Sequence, residues 1–178
     1  MATPPTFSSG AVLTAAQMNS VGLWLVKTQT IGSAVSTVQV TSAFSSDYDN
    51  YLITVTSGTS SASANARLKI GTATTQYYSN LIYSTYAAAA PAATAQSNIN
   101  AYFDWMGYFT SSVFNFNVIV RNPNLAKHTI VNGYFDNGSD VGTSNGVLKD
   151  STQHTEFTIS PASGTLTGGT IRVYGYRN

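Results

Sequence analysis

Six Asp, one Glu, two His and no Cys are the whole supply of groups that this 178-residue chain can offer to acid–base, nucleophilic or metal chemistry. His154 and Glu156 are two apart, a spacing that puts both on one strand face and suits zinc. No third ligand stands nearby, so they read as a solvent-facing polar pair. His128 follows Lys127 and precedes an apolar stretch, which fits a turn cap better than a base. Asp47 and Asp49 flank Tyr48 and could serve as a calcium pair or an acid–base pair, but Ser45-Ser46-Asp47 and Asp49-Asn50 are turn formers whose side chains bond to nearby backbone N–H groups. Asp136-Asn-Gly-Ser-Asp140 lacks the alternating oxygen ligands of a calcium loop, and Gly168-Gly169 runs into a strand pattern rather than a helix that could hold phosphate. The expectation is a protein that is not an enzyme, with no catalytic residue, no metal and no cofactor.

Aromatic side chains are better represented, with 11 Tyr, 8 Phe and 2 Trp. A dense series runs from Tyr77 and Tyr78 through Tyr83, Tyr86 and Tyr102 to Trp105. A tyrosine ring offers apolar area at little rotamer cost and carries a hydroxyl, which suits subunit contacts and sugar recognition as well as sheet packing. Tyr77, Tyr78, Tyr83, Tyr86 and Tyr108 are the candidate ligand or subunit contacts.

The elements that must carry these residues are strands. From Val35 onward apolar and polar residues alternate, as in Val35 to Val40 and Tyr51 to Thr56. Further strand patterns occur at Ala66 to Ile70, Tyr77 to Tyr83, Ile99 to Met106, Val113 to Val120, Thr129 to Phe135, Glu156 to Ile159 and Thr170 to Tyr176. With no long helical period to cross over a parallel sheet, the expected fold is all-β, a jelly-roll-like antiparallel β-sandwich over residues 33–178. Val38, Val40, Tyr51, Ile53, Val55, Ile70, Val118, Val120, Ile130, Phe157, Ile159, Ile171 and Val173 fall on its apolar faces. Asn137-Gly138 and Asn145-Gly146 read as tight turns within a loop from Asp136 to Asn145, and the alanine-rich stretch Ala87 to Ala95, broken by Pro91, reads as a long loop. Residues 1–32 read as an extended N-terminal docking arm. Within it Thr14-Ala-Ala-Gln17 has capping-box spacing and starts one short helix from Ala15 to Ser20.

Charge limits the partners. Lys and Arg number 8 against 7 acidic residues and are scattered, so nucleic acid is not an expected ligand. Ser, Thr and Asn total 60 residues, which implies a neutral polar surface. No apolar run reaches the roughly 20 residues of a spanning helix, so membrane insertion is not expected, and the first residues lack the pattern of a secretory signal. Aromatic residues at 12% and hydrophobic residues at 43% supply enough apolar area for a folded body.

Three segments resemble virion structural proteins of tailed bacteriophages. Phe7-Ser-Ser-Gly-Ala-Val-Leu-Thr-Ala-Ala-Gln-Met-Asn-Ser-Val-Gly22 is similar to their particle-attaching openings. Phe44-Ser-Ser-Asp-Tyr-Asp-Asn-Tyr-Leu-Ile53 resembles a strand of their β-sandwich domains, and Gly168-Gly-Thr-Ile-Arg-Val-Tyr-Gly-Tyr-Arg177 resembles their final strand. The resemblance implies a short fibre, appendage or decoration protein, made in the host cytoplasm and located in the virion. It implies assembly with capsid, tail or fibre proteins and as a homotrimer. Phe7, Val12, Leu13, Met18, Leu23 and Trp24 are the apolar anchors available for particle docking. The alternative is a lectin or adhesin that binds host-surface glycan directly through exposed aromatic and amide side chains. A glycan-cleaving enzyme is the third reading, disfavoured because no acid pair has a suitable setting.

Overall fold

The computed structural model describes residues 10, 12, 22–112 and 114–176. Among them there is no helix, hence none long and apolar enough to cross a membrane, and every strand pairing is antiparallel. The helix expected over Ala15 to Ser20, together with Phe7, Leu13 and Met18, lies outside the described residues.

Along the chain the strands are β1 (Leu23–Thr30), β2 (Val38–Val40), β3 (Asn50–Thr56), β4 (Thr59–Ser60), β5 (Ala64–Ile70), β6 (Tyr77–Thr85) and β7 (Ala88–Ser97). They continue with β8 (Gly107–Phe109), β9 (Phe114–Arg121), β10 (Thr129–Asp136), β11 (Asp140–Leu148), β12 (Phe157–Pro161), β13 (Leu166–Thr167) and β14 (Thr170–Tyr176). One run of hydrogen-bonded neighbours has the order β1-β14-β3-β9-β10-β11-β6-β7, and a second has the order β2-β12-β5-β8. The two runs join where β8 pairs with the first residues of β9, Gly107 opposite Phe116 and Phe109 opposite Phe114. β4 and β13 form a separate small ladder. Within this order four pairings are nested: β6 with β7, β5 with β8, β3 with β9, and β2 with β12.

The alternation seen in the sequence is what closes the core. β3 buries Tyr51, Ile53 and Val55, β14 buries Ile171 and Val173, and β9 buries Phe116, Val118 and Val120. All join one cluster with Val40, Leu68, Ile70, Phe157 and Ile159 of the shorter run. Each large side chain removed from water contributes about 1.5–3 kcal/mol. Edge-on ring contacts add geometric selection, Phe44 to Tyr51 at 4.8 Å and Tyr77 to Phe103 at 4.8 Å.

Several expectations need correction. Ala88–Ser97 is a strand, not a loop, paired along its length with β6 at the edge of the long run. Pro91 is tolerated there because an edge strand can lack one donor, and the register shifts beside it between Ser84 and Thr85. The loop expected from Asp136 to Asn145 is confined to three residues between β10 and β11. Its Asn137 side chain accepts from the Ser139 and Asp140 N–H groups at 2.8 and 2.7 Å. Asn145-Gly146 is mid-strand, paired on both sides with β10 and β6, and its glycine makes room for Phe103, whose ring would lie 2.6 Å from a Cβ at position 146. Ile99 to Met106 is a bent segment that crosses the inner side of β10, β11 and β6, where Gly133, Ser144 and Gly146 make room for it. Ile130 faces outward, since Thr129 and Val131 take the buried positions of β10. Finally, Leu23–Thr30, placed with the arm by composition, is hydrogen-bonded to β14 as part of the long run, and Ile31 lies in the core.

Candidate functional site

Residues opposite one another on neighbouring strands share a face. The register of the long run therefore defines transverse rows on the side away from the core. One row reads Leu25, Tyr174, Leu52, Ile119, Asn132, Asn145, Asn80, Ala95, apolar over β1 to β9 and amide over β10 to β6. This face is open: Leu23, Leu25, Ile82, Ile130 and Tyr134 on it remain between 41% and 55% exposed.

The amides are linked. Arg121 donates to Asn132 Oδ1, Asn132 Nδ2 donates to Asn145 Oδ1 at 2.6 Å, and Asn145 Nδ2 donates to Asn80 Oδ1 at 3.2 Å. A guanidinium can only donate, so Arg121 forces the Asn132 oxygen toward itself and fixes the direction of the whole relay. Three depressions lie along the same face. The middle one, about 550 Å³, is lined by Asn117, Asn132, Tyr134, Thr143 and Asn145, among others. It shares Ile119 with a depression beside Asn50, Arg121 and Tyr176, and Asn145 with another beside Tyr78, Asn80 and Ala95.

The tyrosines singled out from the sequence do not form one site. Tyr77 is fully buried, its hydroxyl bonded to both backbone groups of Ile70, so it cannot be a surface contact. Tyr78 is half-buried on the open face, whereas Tyr83 alternates onto the opposite face of β6. Tyr86 stands at the β6–β7 turn, 60% exposed, and donates to Asp136 Oδ1 at 3.0 Å. That bond is the main reason its hydroxyl is held above the usual tyrosine value. Tyr108 packs edge-on to Phe135 at 5.8 Å. Of the docking anchors, Val12 is 90% exposed, Leu23 projects from the outer face of β1, and Trp24 is half-buried with its indole nitrogen enclosed and unpartnered.

The chemistry-bearing side chains are engaged in holding the fold. His154 and Glu156 do not share a strand face, because the chain enters β12 only at Phe157. His154 is buried against the Gly71 turn, 3.5 Å from Asp150, and burial pushes its pKa down while Asp150 pulls it up. His128 is exposed ahead of β10, and its carbonyl accepts from Asn122 Nδ2 at 3.5 Å. Asp47 accepts from the Ser45 hydroxyl at 3.0 Å within the expected turn. Asp104 is raised by burial, against the Trp105 N–H at 3.0 Å and Arg67 at 3.8 Å, which lower it; Arg67 also lies 4.4 Å over the Tyr102 ring. Among the described residues no three His, Asp or Glu side chains gather to hold a metal.

The amide relay escaped the sequence reading. Asn is depleted in strands, so its recurrence at outward positions of β6, β9, β10 and β11 was the available signal. No family model matches the chain, and no curated protein matches it.

Proposed function

We propose that this protein is a structural component of a tailed-phage virion, an appendage, fibre or decoration protein whose N-terminal segment docks to the particle and whose β-rich body is displayed. The finer architecture belongs to the same proposal: a jelly-roll sandwich in which β2, β3, β5, β6, β7, β8, β9 and β12 are the eight strands. The four nested pairings support this, since a long hairpin rolled on itself pairs first strand with last, second with seventh, third with sixth and fourth with fifth. On this reading β10 and β11 are a hairpin inserted between β9 and β6, and β1 and β14 extend the sheet beyond β3.

The observation that carries the functional reading is the open face of the long run, with Leu23 and Leu25 exposed on the strand that directly follows the phage-like opening segment. Apolar side chains at that margin offer anchors where docking would begin, and a few such anchors dominate most interfaces. Partners on this reading are other virion proteins and two further copies of the chain.

Removal of residues 1–22 tests the reading. The truncated body should keep its thermal transition and lose incorporation into particles. Phe7→Ala combined with Leu13→Ala should do the same in the full chain, while sedimentation of the intact protein should give three times the chain mass. Normal incorporation of the truncated protein would overturn the docking role.

A further inference from the structure

We infer that the open face of the long run is a binding track for a neutral carbohydrate chain, running across the strands from Tyr176 to Ala95. This deepens the proposed display function and rests on it. The three depressions adjoin at Ile119 and Asn145, each of which lines two of them, and together they cross seven strands from β14 to β7, a span of about 30 Å at the usual strand spacing. So long a row of shallow depressions fits an extended polymer better than a compact ligand.

The lining chemistry identifies the class. Each amide of the Arg121–Asn132–Asn145–Asn80 relay uses part of its capacity on its neighbour: Asn132 and Asn145 each spend one hydrogen and one lone pair, keeping a second of each. That surplus, one donor beside one acceptor, matches adjacent sugar hydroxyls, which also donate and accept. Because the relay already fixes the amides, ordering them on binding costs little. Tyr134, 45% exposed beside the middle depression, supplies a ring face for the apolar side of a pyranose, and Tyr78 and Tyr176 lie in the flanking depressions. Among the described lining residues Arg121 carries the only formal charge, and it is committed to Asn132. Lys149, whose Nζ stands 5.6 Å over the Tyr78 ring, adds one cation beside the flanking depression, so the track offers single charges and not a cluster of cations for a sulfated or acidic polymer.

A second copy of the chain suits this region less well. On β10, Asn132 separates Ile130 from Tyr134, and Thr143 lies opposite both Tyr134 and Ile82. A dry protein contact would bury the donors and acceptors that the relay leaves over, and the Thr143 hydroxyl with them, which is costly, whereas a polyhydroxylated ligand satisfies them.

The purified protein should bind neutral glycans on a printed array that also carries sialylated and sulfated ones, and calorimetry with the best neutral binder should follow. Tyr134→Ala and, separately, Asn132→Ala should each weaken binding at least tenfold with an unchanged thermal transition. Lys69→Ala on β5 should bind as the parent does. If Asn132→Ala lowers the transition, Tyr134→Ala and Thr143→Trp, which fills the middle depression from an exposed position, still decide the matter. Absence of neutral binders, preference for anionic glycans, retained affinity in the Tyr134 and Thr143 variants, or dissociation of an oligomer by Tyr134→Ala without sugar binding would each overturn the inference. Because binding is read on free protein and docking on particles, the two proposals fail separately.

Discussion

Tyr77→Phe should destabilise the protein by about 1–3 kcal/mol at neutral pH, the cost of stranding buried backbone polar groups. Past the end of β8 no strand covers that margin of β5, and the tyrosine hydroxyl takes its place. It accepts from the Ile70 N–H at 3.0 Å and donates to the Ile70 carbonyl at 3.1 Å. Phenylalanine keeps the ring against Phe103 and removes both bonds, and the site is closed to water. Tyr51→Phe is the internal comparison. Tyr51 is itself as buried as Tyr77 and its hydroxyl makes the same pair of bonds, at 2.8 and 3.0 Å, but to Ser45, which is half-buried, so water can reach the freed backbone groups and about 0.5–1.5 kcal/mol is expected. Burial, opposed by the Ile70 bond, pushes the Tyr77 hydroxyl up to about 12 from 10.0. A raised value means the neutral form is favoured by folding. Its contribution is complete below pH 10 and is lost as pH rises through 12, by about 2.7 kcal/mol for two pH units. Urea denaturation of parent and variant at pH 7, 9 and 11.5 reads all of this, and the gap between them should narrow at the highest pH. A Tyr77→Phe cost below about 0.5 kcal/mol at pH 7, the range of surface changes, would refute the reasoning, as would a gap that does not change with pH.

His154 is held neutral by burial, so its contribution is full above its unfolded value of 6.5 and declines as pH falls below it. Denaturation midpoints measured from pH 7.5 to 5 should fall in the parent and fall less in His154→Gln. Gly146→Ala should cost about 1–3 kcal/mol by pressing a methyl into the Phe103 ring and Val131, read as a lower thermal midpoint without loss of strand signal in circular dichroism. Ile53→Ala should cost about 2–5 kcal/mol in urea denaturation, whereas Ile130→Ala on the open face should stay within about 0.5 kcal/mol, a contrast that tests the assignment of faces.

Strands that bury one face and expose the other are legible in the order of residue types alone. β3 and β14 alternate throughout and β9 does so from Phe116, and the residues expected inward on them are buried, because a period of two is imposed by the pleat itself. β7 is not legible in that way. Alanine carries weak strand preference, its neighbours are exposed, and only the pairing with β6 makes the segment extended. At Ile130-Val131 both residues are β-branched, so local pattern cannot choose the inward one; the choice follows from Asn132 and Tyr134 facing the open side. Asn145-Gly146 shows a long-range cause most plainly. The glycine serves the approach of Phe103, and the asparagine serves a relay through partners 13 and 65 residues away. The open face is unreadable for the same reason, since it exists only once β6, β9, β10 and β11 lie side by side.

The position of β14 sets the order in which the protein can mature. It lies between β1 and β3, hydrogen-bonded to both, yet it is the last of the described strands to leave the ribosome. Until it emerges, β1 lacks its strand partner and β3 presents an unpaired edge, so the longer run is completed only after β14 has left the ribosome. A chain that stops short of Thr170 would carry two raw strand edges, the feature that most readily nucleates aggregation. Chains that end before Thr170 should therefore be recovered in the insoluble fraction more than chains that include the whole of β14, a difference read by the soluble yield of the two lengths.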